Sequence, residues 1–256
     1  MWEYIVEEKI YVTWICEFIT ASVALFYLWS LQSVKKSLKI FIYYLVFVFF
    51  ADLLGAYALW SYFDGYRTFP FLKDSVFKRP EWLFNIISVF TFTVITNLII
   101  EQLSERNRRP FRISLVVFVL SWILALIISE DYFYAQNKYV FLSGTFFLVI
   151  SIGAYFYEMI NSDRLLNFYN SPVFFIAVGA MLWHLCVAPL WIYNNFVGEG
   201  GNGYFFNIYQ LILRSANIFM YFMFSLGFLV EFSLLRKSAN KKLHQSEINI
   251  KPKRAK

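Results

Sequence analysis

Charged residues are scarce in this 256-residue chain: they make up 16% of it, against roughly a quarter of an ordinary soluble domain. Hydrophobic residues make up 59% and aromatic residues 22%. A soluble globule of this size cannot bury so much apolar surface, and a disordered chain does not carry it. Glycine and proline are also few, at 10 and 6, which excludes collagen-like and low-complexity chains. The class that remains is a polytopic membrane protein.

Residues that commonly carry chemistry are equally sparse. Two cysteines and two histidines are too few for a disulfide framework or a zinc centre. The last apolar stretch has no lysine before Lys237, which excludes a retinal Schiff base within it. No H-E-x-x-H, G-x-S-x-G or glycine-rich phosphate loop is present. We therefore assign no catalytic residue, no metal and no cofactor, and the sequence does not indicate an enzyme.

Seven stretches are long and apolar enough to span a bilayer, which requires about 20 residues each. The sequence thus predicts an all-α fold, a bundle of seven transmembrane helices within residues 10–235. Residues 1–9 form an external N-terminus, and residues 236–256 form a basic, disordered cytoplasmic tail. The predicted spans are about residues 10–31, 40–61, 82–103, 112–129, 139–160, 173–195 and 205–234.

Lysine and arginine residues are unevenly divided between the loops. Sixteen lie in the loops after the odd-numbered spans and in the tail, whereas six lie on the other side. The positive-inside rule therefore places the N-terminus outside and the C-terminus in the cytoplasm. The leader is acidic, with Glu3, Glu7 and Glu8, and does not resemble a signal peptide. The basic tail lacks interleaved aromatic residues, so we expect it to contact anionic lipid and not nucleic acid.

Four titratable residues within the spans fall at a similar predicted depth. At 1.5 Å per residue, Glu17, Asp52, His184 and Arg214 lie about 10–15 Å below the outer surface. A charged group at that depth is costly, so we expect Glu17 or Asp52 to form a salt bridge with Arg214. The seventh span also carries a polar stripe along one helical face, formed by Asn207, Gln210, Arg214, Asn217, Tyr221 and Ser225.

This polar layer has two interpretations. In the first it is structural: an ion pair sets helix register, and polar side chains hydrogen-bond across helices. In the second it surrounds an outward-facing polar cavity that binds a small ligand or carries protons. Tyr57 and Trp183 would then supply aromatic walls. The predicted lining is Glu17, Asp52, His184, Gln210, Arg214 and Asn217.

Two segments resemble a known family. They are L-L-N-F-Y-N-S-P-V-F-F-I-A-V-G (Leu165 to Gly179) and A-N-I-F-M-Y-F-M-F-S-L-G-F-L (Ala216 to Leu229). With Glu17 and Asp52, they resemble the uncharacterised seven-helix inner-membrane proteins of Bacteroidota. The resemblance implies the seven-helix fold over about residues 10–235, and it implies sensing, because some members are encoded near histidine kinases or transcription regulators.

These features favour a membrane-embedded sensor or signalling component. It would bind an unknown small ligand in the outward-facing cavity and act on a cytoplasmic or membrane partner such as a histidine kinase. One alternative is a small transporter or proton-coupled carrier. Another is a structural subunit of a membrane complex, with its polar stripe packed against a second protein.

The loop charges predict which loops reach the outer side. A single cysteine placed in 62–81 should be modified by an impermeant thiol reagent added outside intact cells, and one placed in 104–112 should be spared. The measurement is the labelled fraction before and after the cells are made permeable. The reverse pattern would invert the topology.

Overall fold

The computed structural model describes residues 1–31, 33–162, 168–197 and 203–250, with the backbone alone described at 194–197, 203–206 and 238–250. These residues form a helical bundle without a strand. Two 3₁₀ turns, Pro70–Leu72 and Val76–Lys78, lie in the longest loop. The described α-helices are α1 (Trp2–Glu7), α2 (Ile10–Ser30), α3 (Lys36–Gly55), α4 (Tyr57–Phe63), α5 (Glu81–Ile100), α6 (Glu105–Ile128), α7 (Lys138–Ile160), α8 (Pro172–Val197) and α9 (Gly203–Ile250).

The prediction of seven spans is confirmed. Seven helical segments of the described chain are long and apolar enough to cross a membrane, with α3 and α4 together forming the second. The chain is thus a multi-pass membrane protein. Helix α6 begins at Glu105, well before the predicted start of the fourth span at residue 112. Hydropathy marks only the apolar part of a helix, and here the same helix continues into its basic flank.

Six of the long helices form a ring. Helices α2, α3, α5, α7, α8 and α9 pack in that order, and α9 closes the ring against α2. Helix α6 lies outside it, against α5 and α7. Only 11% of its apolar window is buried, against 50% for α5 and for α7. Its large exposed side chains, such as Leu120 and Ile127, are suited to lipid because hydrocarbon is as apolar as they are.

Close contact between α8 and α9 depends on two glycines. A Cβ on Gly179 would lie 3.1 Å from the Met223 Cβ, and one on Gly227 would lie 3.0 Å from the Phe175 Cβ. Small residues let helix backbones approach in this way. Both glycines belong to the two segments that resemble the Bacteroidota family, so those segments form one antiparallel interface. Residues 165–167 of the first segment lie outside the described residues.

Polar contacts hold the loops at the end of the bundle where the N-terminus lies, which we call the N-terminal face. Asn85, 1% exposed, donates to the carbonyls of Tyr132 (2.9 Å) and Ala135 (3.0 Å) and accepts from the Asn137 amide (2.8 Å). One side chain thus satisfies three backbone groups. In the longest loop, Asp64 accepts hydrogen bonds from Thr68, and these hold the pKa of that carboxyl below its ordinary value.

Helix α9 is longer than the span it contains. It continues as helix to Ile250, through most of the segment predicted to be disordered from residue 236. Nucleation is the costly step in helix formation, and the membrane span already supplies the nucleus. Alanine, leucine, lysine and glutamine are also good helix formers. Residues 251–256 of the predicted tail lie outside the described residues.

Two glycines of α7 provide a matched test of packing against α5. A Cβ on Gly144 would lie 2.4 Å from the buried Phe92 ring, whereas one on Gly153 meets nothing within 4 Å. We expect Gly144→Ala to lower the free energy of unfolding by about 1–3 kcal/mol through overpacking. Gly153→Ala should leave it unchanged or raise it slightly, because alanine favours helix. Unfolding in detergent measures both, and equal effects would contradict the close α5–α7 contact.

Candidate functional site: two adjoining cavities

The first cavity opens among the residues of the N-terminal face and has a volume of about 640 Å³. Its walls come from the α1–α2 junction, from the end of α3 with α4, from the loop before α5, and from α9. We call it the outer cavity. Gln210 and Arg214 lie on its α9 side. Its other charged lining residues are Glu8, Lys9, Asp52, Lys78 and Arg79.

The second cavity lies inside the ring and has a volume of about 520 Å³. All six ring helices contribute to its walls, and we call it the inner cavity. Glu17 and His184 line it. The two cavities adjoin, because Thr13, Asp52, Phe84, Leu213 and Asn217 line both.

A seam of hydrogen bonds joins α2 to α9 beside these cavities. Five of the bonded pairs are 204–206 residues apart in the chain, and the Thr20 hydroxyl also donates to the Tyr221 carbonyl at 3.1 Å, across 201 residues. A constant separation means that the two helices run parallel and in register. The polar stripe of α9 therefore faces α2. We call this set of contacts the α2–α9 seam. Its pairs are Glu8–Arg214, Thr13–Asn217, Glu17–Tyr221, Thr20–Ser225 and Tyr27–Glu231.

Glu17 lies at the centre of the seam and is 3% exposed. Its Oε1 accepts a hydrogen bond from the Tyr221 hydroxyl at 2.9 Å. Its Oε2 is buried and receives no hydrogen bond from the described residues. The Asp52 carboxyl lies beside it, within hydrogen-bonding reach. The structure thus brings together two carboxyl groups from different helices at the wall of the inner cavity.

The predicted salt bridge between Arg214 and Glu17 or Asp52 is wrong. Arg214 Nη2 donates to the Glu8 carbonyl at 2.8 Å. Among the described residues, the one ion pair joins Arg112 to Glu101 at 2.5 Å. The physical reason is the seam's register: Arg214 lies opposite the α1–α2 junction, two helical turns from the level of Glu17. Arg214 lines the outer cavity and Glu17 lines the inner cavity, so the two side chains do not form an ion pair.

Contacts with neighbouring helices fix the position of the His184 side chain. It is 3% exposed, and its Nδ1 lies 3.0 Å from the Thr145 hydroxyl. Its ring lies against Phe92, with centroids 5.3 Å apart. Neighbouring Trp183 donates to the Asn217 Oδ1 at 2.6 Å. His184 and Trp183 therefore belong to the α8 wall of the inner cavity.

Tyr57, predicted as an aromatic wall, has a different role. Its hydroxyl lies 2.6 Å from the Phe77 carbonyl and accepts from Trp82 Nε1 at 3.0 Å. It thus ties α4 to the loop before α5, and it is not among the lining residues of either cavity in the described chain. The physical reason is that the loop lies close to this partly buried side chain, and the Phe77 and Arg79 carbonyls accept hydrogen bonds from its hydroxyl.

Sequence reasoning missed several lining residues. Tyr44 lines the inner cavity, and its spacing of eight residues before Asp52 put it on the same helical face, so this signal was available. Glu81, Lys78 and Arg79 also line the cavities. They come from a loop and a helix start, where no periodicity reveals which way a side chain points.

Comparison of the chain with protein-family models, curated proteins and solved structures finds no match. A functional assignment therefore depends on the geometry of the two cavities.

The contact between Glu17 and Tyr221 provides a test of the seam. We expect Tyr221→Phe to lower the free energy of unfolding by about 1–3 kcal/mol, because it leaves a buried carboxyl oxygen without its donor. In a Glu17→Leu background the same change should cost much less, since contacting residues couple. Tyr43→Phe, at an exposed position, is the control. Additive losses in unfolding experiments would contradict the hydrogen bond.

Proposed function

We propose that this protein is a membrane-embedded sensor component that binds a small ligand in its two adjoining cavities. It would belong to the seven-helix inner-membrane family of Bacteroidota that it resembles, with the N-terminal face outside the cytoplasm. The observation that carries the proposal is the pair of cavities, which together reach from the N-terminal face to Glu17 and His184 inside the ring.

The packing beneath the cavities favours a binding site over a channel. On the side of Glu17 that faces away from the N-terminal face, the ring is filled by aromatic and aliphatic side chains. Phe41, Phe228 and Ile99 are fully buried there, and Phe41 packs against Phe228. The Tyr27–Glu231 hydrogen bond closes the far end of the seam. A ligand entering from the N-terminal face would therefore meet a closed floor.

Helix α9 offers a route for the signal. It lines both cavities through Leu213 and Asn217 and continues without interruption to Ile250. At 1.5 Å per residue, α9 is about 72 Å long, more than twice the hydrocarbon thickness. A change at the cavity wall would thus reach a cytoplasmic or membrane partner such as a histidine kinase through one rigid element.

A carrier is the second candidate, and it has one observation in its favour: the carboxyls of Glu17 and Asp52, within hydrogen-bonding reach of each other, could hold a proton that travels with a substrate. The two functions differ in access. A sensor keeps its cavity open to one side, whereas a carrier exposes it to each side in turn.

Accessibility of Asn217 distinguishes these functions. In a cysteine-free chain (Cys16→Ala, Cys186→Ala), we expect Asn217→Cys to be modified by an impermeant thiol reagent from one side only. That side should be the one that labels Asp74→Cys, in the loop of the N-terminal face. Right-side-out and inside-out vesicles supply the two directions, and Ile99→Cys in the packed core is the unreactive control. Labelling from both sides would support the carrier, and labelling from neither would support a packed structural subunit.

A further inference from the structure

Charge is segregated between the two cavities. The outer cavity is lined by four cationic side chains, Lys9, Lys78, Arg79 and Arg214, against the acids Glu8 and Asp52. The described lining of the inner cavity contains the carboxyl groups of Glu17, Asp52 and Glu81 and no lysine or arginine. A ligand that moves inwards therefore passes from a positive to a negative environment.

The described lining of the inner cavity has no lysine or arginine to balance its carboxyl groups. The carboxyl groups of Glu17 and Asp52 lie within hydrogen-bonding reach of each other, and two carboxylates that close repel each other unless a proton or a cation lies between or beside them. Glu17 is almost fully buried, yet its Oε2 has no donor among the described residues. An ammonium group has three N–H donors and would satisfy that oxygen and Asp52 together.

The walls of the inner cavity suit an organic cation better than a metal ion. Aromatic faces attract an ammonium group through their negative quadrupole. A divalent metal ion takes about six or more oxygen ligands, and no group of three His, Cys, Asp or Glu side chains that could hold one occurs among the described residues. The aromatic residues of the lining are Tyr44, Phe84, Phe92, Phe141, Trp183, Tyr221 and Phe224.

The outer cavity contains a group suited to binding an anion, the Arg214 guanidinium. Arg214 has five N–H donors, and among the described residues its one hydrogen-bond acceptor is the Glu8 carbonyl. The planar guanidinium binds carboxylates through paired hydrogen bonds. Gln210, one turn away on the same stripe, also lines the outer cavity and can donate to the same anion.

The cationic group of the outer cavity and the carboxyl groups of the inner cavity are separated by a defined distance along α9. Arg214 and Tyr221, the partner of Glu17, are seven residues apart, about 10 Å. An α-amino acid carries its two charged groups on a single carbon and is too short to reach both ends. An ω-amino acid with an aliphatic chain of about five carbons, extended through the junction at Asp52 and Asn217, is long enough.

We propose that the two cavities together bind one small zwitterion of the ω-amino acid type. Its carboxylate contacts Arg214 in the outer cavity, and its ammonium group contacts Glu17 and Asp52 in the inner one. The aliphatic chain lies between Phe84 and Leu213 at the junction. This inference rests on the proposed function, because it names the ligand class of the same site.

Three probes of equal length test the proposal: 5-aminopentanoate, pentylamine and pentanoate. Calorimetric titration of the full chain in lipid nanodiscs measures binding, with empty nanodiscs correcting for partition into lipid. We expect 5-aminopentanoate to bind at least about tenfold more tightly than either singly charged probe, since each end contributes a charge-assisted contact. Glycine, the short control, should bind more weakly than 5-aminopentanoate.

Variants assign each end of the ligand. Arg214→Gln should abolish the preference for 5-aminopentanoate over pentylamine, because the carboxylate loses its partner. Asp52→Asn should abolish the preference for 5-aminopentanoate over pentanoate, because the ammonium group loses its partner. Arg214→Lys, which keeps the charge, should retain part of the preference if Arg214→Gln fails to fold. Arg67→Gln and Asp74→Asn are the matched controls, because these residues lie at the same face, are exposed and are not among the described lining residues. Both should bind as the parent chain does.

Each other result overturns the proposal. Equal binding of pentylamine would indicate a cation site, and equal binding of pentanoate an anion site. If no probe binds at about 10 mM, the zwitterion is wrong. The proposed sensor remains in that case if Asn217→Cys is still labelled from one side, and it fails as well if that labelling is two-sided or absent.

Discussion

The α2–α9 seam is the interaction that closes the ring. Hydrogen bonds from the Glu8–Arg214 pair, just before the first span, to the Tyr27–Glu231 pair hold the first and last spans parallel, and five of the bonded pairs are separated by 204–206 residues. Parallel contact between the first and last of a series of spans requires an odd number of them. The apolar remainder of each helix supplies no comparable specificity, because lipid is as favourable a neighbour for leucine or phenylalanine as another helix is.

The seam also explains why a cavity exists beside it. Glu17 and Arg214 each have a hydrogen-bond partner within the seam or at its end, but neither is neutralised there by an opposite charge. The observed register keeps them about two turns apart, with Asp52 and Asn217 at the junction of two cavities.

The two halves of the bundle are built differently. Towards the N-terminal face, loops and polar side chains leave space, and Asn85 and Tyr57 hold those loops by hydrogen bonds to their backbones. Towards the opposite face, large aromatic residues such as Phe41 and Phe228 fill the ring. Gly179 and Gly227 bring α8 close to α9 at Met223 and Gly227 of α9. The half towards the opposite face is therefore closely packed, and the half towards the N-terminal face contains the two cavities.

The sequence alone determined the membrane class, the seven spans and the polar face of the last one, because hydropathy and helical periodicity are local properties of the chain. Depth along the spans and helical face were also sufficient to select six polar residues that line the cavities, namely Glu17, Asp52, His184, Gln210, Arg214 and Asn217. The partners of those residues were not predictable. Depth places Glu17, Asp52 and Arg214 in one layer, but rotation and register of each helix decide that Glu17 meets Tyr221 and Arg214 meets the Glu8 carbonyl. Likewise, only the assembled ring shows that Lys78 and Arg79, from a loop, reach the outer cavity. These contacts are decided by packing between helices far apart in the chain, which no local pattern encodes.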